Sequence, residues 1–226
     1  VHRIYRVGGA QAVAALAYGT ETVKAVRKIV GPGSAYVAAA KQLVADRVDP
    51  GLPAGPTESI LLADESADPM VVALDLAIEA EHGLDSAALL LTDSESLGQE
   101  VAGLLPKIIG SAPEPRKGFL EEVFGNYGGI LVADTMDQAL AFVNEYAPEH
   151  IKVQTSDPWD TLERVRNAGE ILLGEHAAFS LANYAVGANA VLPTGGYAHT
   201  WSPVSVQDFV KRSSVVYVSK QGHRRS

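Results

Sequence analysis

Glutamate and histidine stand side by side in Ala147-Pro148-Glu149-His150, directly ahead of the β-branched run that begins at Ile151. Histidine titrates near neutrality and a partly buried glutamate can be tuned upward, so such a pair at the mouth of a sheet can share general acid–base work. An ordinary polar connection between a helix and a strand is the competing reading. A second set lies in segment 68–82, where Val72, Leu76 and Glu79 are spaced four and three apart. Glu79 thus continues an apolar stripe that faces inward, and His82 follows one turn later. A carboxylate and an imidazole at i and i+3, with Cβ atoms about 5–6 Å apart, can reach one metal ion. Alternatively the helix simply ends there, with His82 favourable to the dipole and Glu79 or Glu81 in solvent. A third set is the loop from Gly187 to Gly196 with Asn183 just before it, rich in glycine and amides. Its backbone can approach a ligand closely, or it is a structural turn.

These residues need a scaffold, and the pattern predicts one. Short apolar or β-branched runs at 60–63, 87–92, 129–133, 151–155 and 170–173 read as buried strands. Helical segments at about 68–82, 94–105, 114–124, 135–146 and 157–168 lie between them, so the alternation predicts a mostly parallel sheet with helices on both faces. Ahead of it, 8–17 and 34–48 read as helices, the second opened by Gly31-Pro32-Gly33-Ser34. That opening could offer N–H groups to a phosphate, although no G-x-G-x-x-G or Walker sequence is present. The Pro/Gly-rich stretch 49–57 is the expected boundary between a unit at 1–55 and another at 56–226. After 174 come an irregular stretch to 203, a short helix near 204–212 and a β-like run at 215–219. A loop of about thirty residues inside a domain suggests function. His176 and His199 lie in it and can line a pocket, whereas His2 and His223 near the ends carry no argument.

Composition narrows the classes. The net charge is −9, which argues against a nucleic-acid partner. There are no cysteines, so any metal is held by nitrogen and oxygen ligands. No apolar run reaches the roughly 18–20 residues of a membrane span, and no signal-like segment opens the chain, so cytoplasm is the default expectation. With 226 residues, at about 100–200 residues per domain, the length corresponds to one and a half domains. Together with the missing initiator methionine, it leads us to expect an excised piece of a longer chain.

Six motifs occur in order: Val7-Gly8-Gly9-Ala10-Gln11-Ala12, Ile29-Val30-Gly31-Pro32-Gly33, Ala54-Gly55-Pro56-Thr57-Glu58, Ala80-Glu81-His82, Ala147-Pro148-Glu149-His150 and Val191-Leu192-Pro193-Thr194. On them the chain resembles the histidinol dehydrogenase family over about its first 220 residues. The resemblance implies two Rossmann-like α/β units with mostly parallel sheets, both incomplete here, the first being the C-terminal part of an NAD-binding domain. It further implies a zinc- and NAD-dependent homodimer that oxidises an alcohol through an aldehyde to a carboxylic acid. Glu149 would activate the water that attacks the aldehyde, and His150 would take the alcohol proton. Gln11 and Ser34 would contact NAD. Thr57, Glu79, His82, His150 and Asn183 would contact substrate, and Glu79, His82 and Asn183 would hold zinc, with a fourth ligand, a histidine, beyond this chain. Departures accompany the matches. Glu79 stands where the family has glutamine and Asn183 where it has aspartate, a reciprocal exchange that keeps the summed ligand charge. Ala190 replaces a pocket histidine, Ser34 replaces asparagine, and Trp201 lies in the nearby loop. These changes admit two alternatives: a relative acting on another polar alcohol such as 2,3-dihydroxypropane-1-sulfonate, and a non-catalytic ligand-binding relative.

Overall fold

A computed structural model describes residues 1–223. Five strands, β1 (Glu58–Ala63), β2 (Ala87–Thr92), β3 (Gly129–Val132), β4 (His150–Gln154) and β5 (Glu170–Leu173), form one sheet in the order β3-β2-β1-β4-β5. Every pairing is parallel. Parallel neighbours need crossovers, and the chain supplies them as helices: α3 (Pro69–Ala80), α4 (Glu95–Ser111), α5 (Arg116–Asn126), α6 (Met136–Tyr146) and α7 (Pro158–Leu162). Strand order reverses between β1 and β4, where the connections pass from one face of the sheet to the other.

Alternation along the strands sorts their side chains into two cores. Leu61, Ala63, Ala88, Leu90 and Leu172 pack with Val72, Ala73 and Leu76 of α3 and with Val101, Leu120 and Phe179. Ile60, Leu62, Leu91, Ile151 and Val153 pack with Ala139, Leu140 and Val143 of α6. Complete burial of each such leucine or isoleucine contributes about 1.5–3 kcal/mol. β4 is the exception, because its other face carries His150, Lys152 and Gln154, all buried. Three polar residues therefore point toward α3.

α3 starts where Asp68 accepts from Met70 N at 2.7 Å and Val71 N at 3.3 Å, with Pro69 in the first turn. It runs antiparallel to the strands, so its C-terminal end reaches the sheet edge where β1, β4 and β5 begin. That geometry places Glu79 beside Glu149 and His150.

The N-terminal residues differ from expectation. α1 (Gly9–Tyr18) and α2 (Ala35–Leu43) pack through Val13, Ala17, Val44 and Val48 into a small separate cluster. Their one β pairing is an isolated parallel bridge, Lys28 to Asp49. Among the described residues there is thus one sheet and not the expected two, since a single bridge satisfies too few backbone groups to make a second. The expected helix 157–168 ends at Leu162, where Arg164 N and Val165 N bond three residues back and tighten the chain into turns. The irregular stretch contains α8 (Phe179–Tyr184), and the helix near 204–212 is only a 3₁₀ turn at Val206–Phe209. The run 215–219 forms no strand: Val215, Val216 and Tyr217 are exposed, and among the described residues no strand pairs with it. α9 (Lys220–His223) closes the described chain. No helix of the described residues is long and apolar enough to cross a membrane.

Candidate active site

The Glu149–His150 pair is set by the end of α6. Ala147 caps that helix in the left-handed region, φ 53°, its N–H bonded to Val143 O, and is completely buried. Pro148 then cannot continue the helix, and the chain enters β4 at His150. Register aligns His150 with Glu170 at the start of β5, and His150 Nδ1 lies 3.0 Å from Glu170 Oε2. A carboxylate only accepts, so Nδ1 carries the proton in the neutral ring and Nε2 is left with a lone pair. Nε2 lies 3.8 Å from Glu149 Oε1, beyond hydrogen-bond distance. The Phe179 ring meets the imidazole edge-on at 5.8 Å. In the neutral ring the result is an oriented nitrogen lone pair beside the Glu149 side chain.

Burial pushes Glu149 up to about 7; the nearby Glu79 and Glu58 carboxylates add to the rise, while His150 and the Glu58 N–H, which donates to Oε2 at 3.2 Å, restrain it. Burial alone would lower His150, but the Glu170 hydrogen bond and the Glu79, Glu149 and Glu170 charges outweigh it and leave its pKa raised. Glu58 is raised by burial although it accepts from Gly195 N at 2.7 Å. Tyr146 beside it is pushed up to about 12, first by burial and then by the Glu58 charge.

Glu79, His82 and Asn183 converge on the same place. Glu79 is completely buried, as its stripe position predicts. Asn183 on α8 donates to Glu79 Oε1 at 3.3 Å, and His82 Nδ1 stands 3.7 Å from Oε2. Among the described residues Oε2 has no hydrogen-bond partner. A buried carboxylate oxygen without a donor needs a cation or proton to offset its desolvation. His82 Nδ1 bonds Ile78 O at 3.1 Å, which leaves Nε2 as its free donor atom, the arrangement of a metal-ligating imidazole. Among the described residues no three His, Cys, Asp or Glu side chains form a metal group by themselves. The third donor here is an amide, and on chemistry the set fits a zinc ion.

A cavity of about 240 Å³ is lined by Thr57, His82, Glu149, His150, Asn183 and Tyr184, with Pro32, Gly55 and Ala190 completing the wall. Among the described residues no lysine or arginine lines it. Gln11 and Ser34 are exposed and do not line it. His199 links the loop to the helix side, bonded to Asn167 Nδ2 and Glu145 O, each at 2.9 Å. His176 lines a separate groove along β5. Residue-by-residue reading missed Glu58, Glu170 and Tyr146 as members of the site. The available signal was a glutamate opening each of two otherwise apolar runs, Glu58-Ser-Ile-Leu-Leu and Glu170-Ile-Leu-Leu.

The location is unusual for a parallel sheet. Ligands normally bind at the carboxyl ends of the strands, at the switch point. At that end Asp64 accepts from Ser66 N at 3.0 Å and Ser156 N at 2.7 Å, which occupies the crevice with local bonds. The site instead lies at the amino ends of β1, β4 and β5.

Gly169 holds this edge tight. A Cβ there would sit 2.6 Å from Glu149 O and 3.2 Å from Leu192 Cβ and Pro193 Cδ. Gly169→Ala is expected to cost about 1–3 kcal/mol, typical of overpacking, read by urea unfolding. An unchanged midpoint would show that the Glu149 carbonyl and the Pro193 loop both yield freely.

The histidinol dehydrogenase family model matches residues 1–226. The chain is 54% identical over 222 residues to a histidinol dehydrogenase of Synechocystis sp., covering 98% of this chain and 51% of that protein. It is 51% identical over 220 residues to a histidinol dehydrogenase homolog of Cereibacter sphaeroides, covering 97% and 50%. The crystal structure of histidinol dehydrogenase from Elizabethkingia anophelis superposes with a TM-score of 0.91 at 38% identity, covering all of this chain and 52% of that one. The chain thus spans about half the length of the curated relatives it matches.

Proposed function

Because the chain belongs to the histidinol dehydrogenase family, we propose that the full-length protein oxidises L-histidinol to L-histidine through the aldehyde, in two NAD-dependent hydride transfers. The observation that carries the reading is the oriented His150 next to Glu149 in a cavity that, among the described residues, is lined by that one carboxylate, two imidazoles and neither lysine nor arginine. A wall that presents the Glu149 carboxylate and no lysine or arginine among the described residues suits an alcohol that carries an ammonium group.

His150 Nε2 accepts the hydroxyl proton, and Glu170 at Nδ1 stabilises the imidazolium that results. Loss of that proton is what makes hydride departure to the nicotinamide easy. For the second oxidation Glu149 deprotonates the water that hydrates the aldehyde; a pKa of about 7 matches a base that works near neutrality. Thr57, Asn183 and His82 contact substrate from the wall. Glu79, His82 and Asn183 would hold zinc, which when bound supplies a Lewis-acid contact to a substrate donor atom. Residues 1–55 are read as the C-terminal part of the NAD-binding domain and 56–226 as the main part of the catalytic one, the finer form of the two-unit expectation, with Gln11 and Ser34 toward NAD. The parent is proposed to be a cytoplasmic homodimer.

One observation favours a second reading. Arg116, 3.6 Å from Glu81 Oε2, lines a cleft that shares His82 and Tyr184 with the site. That cation could receive a sulfonate, as in 2,3-dihydroxypropane-1-sulfonate. Assays of the full-length protein with both alcohols decide between them: two NADH per L-histidinol, and slower turnover of the sulfonate, are expected. Preference for the sulfonate overturns the substrate assignment, and absence of turnover and of zinc would mark a ligand-binding relative.

A further inference from the structure

Directly behind the site lies a buried ion pair that the chemistry above does not use. Lys152 is completely buried and Asp75 nearly so, and their side chains are hydrogen-bonded. Lys152 Nζ also donates to Glu175 O at 2.9 Å, and Gln154 Nε2 donates to the same Asp75 oxygen at 3.1 Å. A pair this deep costs desolvation that its own attraction seldom exceeds, so its presence calls for a role other than stability.

The placement supplies that role. Lys152 is two residues beyond His150 on one face of β4, about 6.7 Å along the strand. Asp75 is one helical turn before Glu79 on α3, about 6 Å along its axis. Glu175 lies between Glu170 of β5 and Asn183 of α8. One ammonium group therefore joins the three segments that carry Glu79, His150 and the Glu170–Asn183 stretch, one structural repeat behind the reacting groups. An apolar contact slides at little cost, whereas a lysine held by a carboxylate and a carbonyl has one register.

We propose that Asp75 and Lys152 are positioning residues, which lock α3, β4 and the segment leading to α8 so that Glu79 and Asn183 meet Glu149 and His150 across the cavity. The assignment rests on the functional reading above. Misplacement of reacting groups by about 1 Å costs on the order of a hundredfold in rate, so loss of the lock lowers kcat.

The test uses the full-length protein with Asp75→Leu combined with Lys152→Met, which removes both charges and keeps the branching of the first side chain and the length of the second. Paired apolar replacement of a buried ion pair is commonly neutral or stabilising. A merely structural pair would thus leave Tm and kcat near the parent values. The proposal expects a retained Tm, a kcat with L-histidinol reduced by about ten- to a hundredfold, and a KM changed by less than about threefold. Amide exchange should accelerate in 79–82 and 175–183 but not in α6. Asp75→Asn with Lys152→Gln, which keeps polar partners for Gln154 and Glu175, decides on the same criteria if the apolar pair does not fold. Parental kcat, or lost kcat with unaltered exchange, overturns the proposal. An inactive unsubstituted protein instead sinks the functional reading, and the exchange comparison then decides this one by itself.

Discussion

Glu149→Gln in the full-length protein is expected to lower turnover of L-histidinol by about 10²–10⁴, the usual contribution of a positioned general base. Glutamine keeps the volume and an oxygen for the Glu58 N–H, which donates to Oε2 at 3.2 Å, so folding is preserved while proton acceptance is lost. Aldehyde oxidation should suffer more than alcohol oxidation, because only the second stage needs a hydrated carbonyl. Stopped-flow or steady-state NADH formation from each substrate separates the two. The pH profile follows from the same groups. Glu149 is raised to about 7 and His150 is raised as well, and each must be unprotonated to act. Rate therefore rises with pH through about 7 and falls below it. In Glu149→Gln the limb belonging to Glu149 disappears. Equal rates for variant and parent on the aldehyde would remove Glu149 from its role.

Asp75→Ala alone is the most damaging single change expected for stability. Among the described residues it leaves the ammonium of Lys152, which has no exposure to solvent, with only the Glu175 carbonyl. Breaking a buried pair from one side costs about 3–5 kcal/mol, which for a chain of this size lowers Tm by roughly 10 °C. Thermal unfolding by circular dichroism reads it. A shift of less than about 2 °C would mean that water reaches Lys152 and that the pair is not closed off. The contrast with the doubly apolar replacement is informative: one charge removed destabilises, two removed should not.

Much of the scaffold was legible from residue order. The five strand runs at 60–63, 87–92, 129–133, 151–155 and 170–173 match the observed strands within two residues, because a sheet covered on both faces needs near-continuous apolar runs. Helices α3 and α6 were legible from acidic or hydroxyl caps before an apolar period, Asp68 and Thr135 among them. The tail was not. Val215-Val216-Tyr217-Val218 has strong β character, yet strand formation requires a partner for its N–H and C=O groups, and the described residues offer none. The same need for partners applies to residues 1–55, whose described structure is helices and one bridge.

The site divides in the same way. Residue types and local spacing by themselves determined that Glu149 and His150 are adjacent and that Glu79 faces inward on α3 with His82 behind it, since these follow from strand and helix periods and need no distant contact. Tertiary structure alone decided that His150 meets Glu170, twenty residues away, because that depends on the parallel register of β4 against β5. It alone decided that Asn183 reaches Glu79 across 104 positions, and that the alternating polar face His150, Lys152, Gln154 is buried against α3 instead of lying in water. Alternation in sequence says only that two faces differ. Which face is covered, and by what charge, is set by the packing of a helix that arrives from elsewhere in the chain.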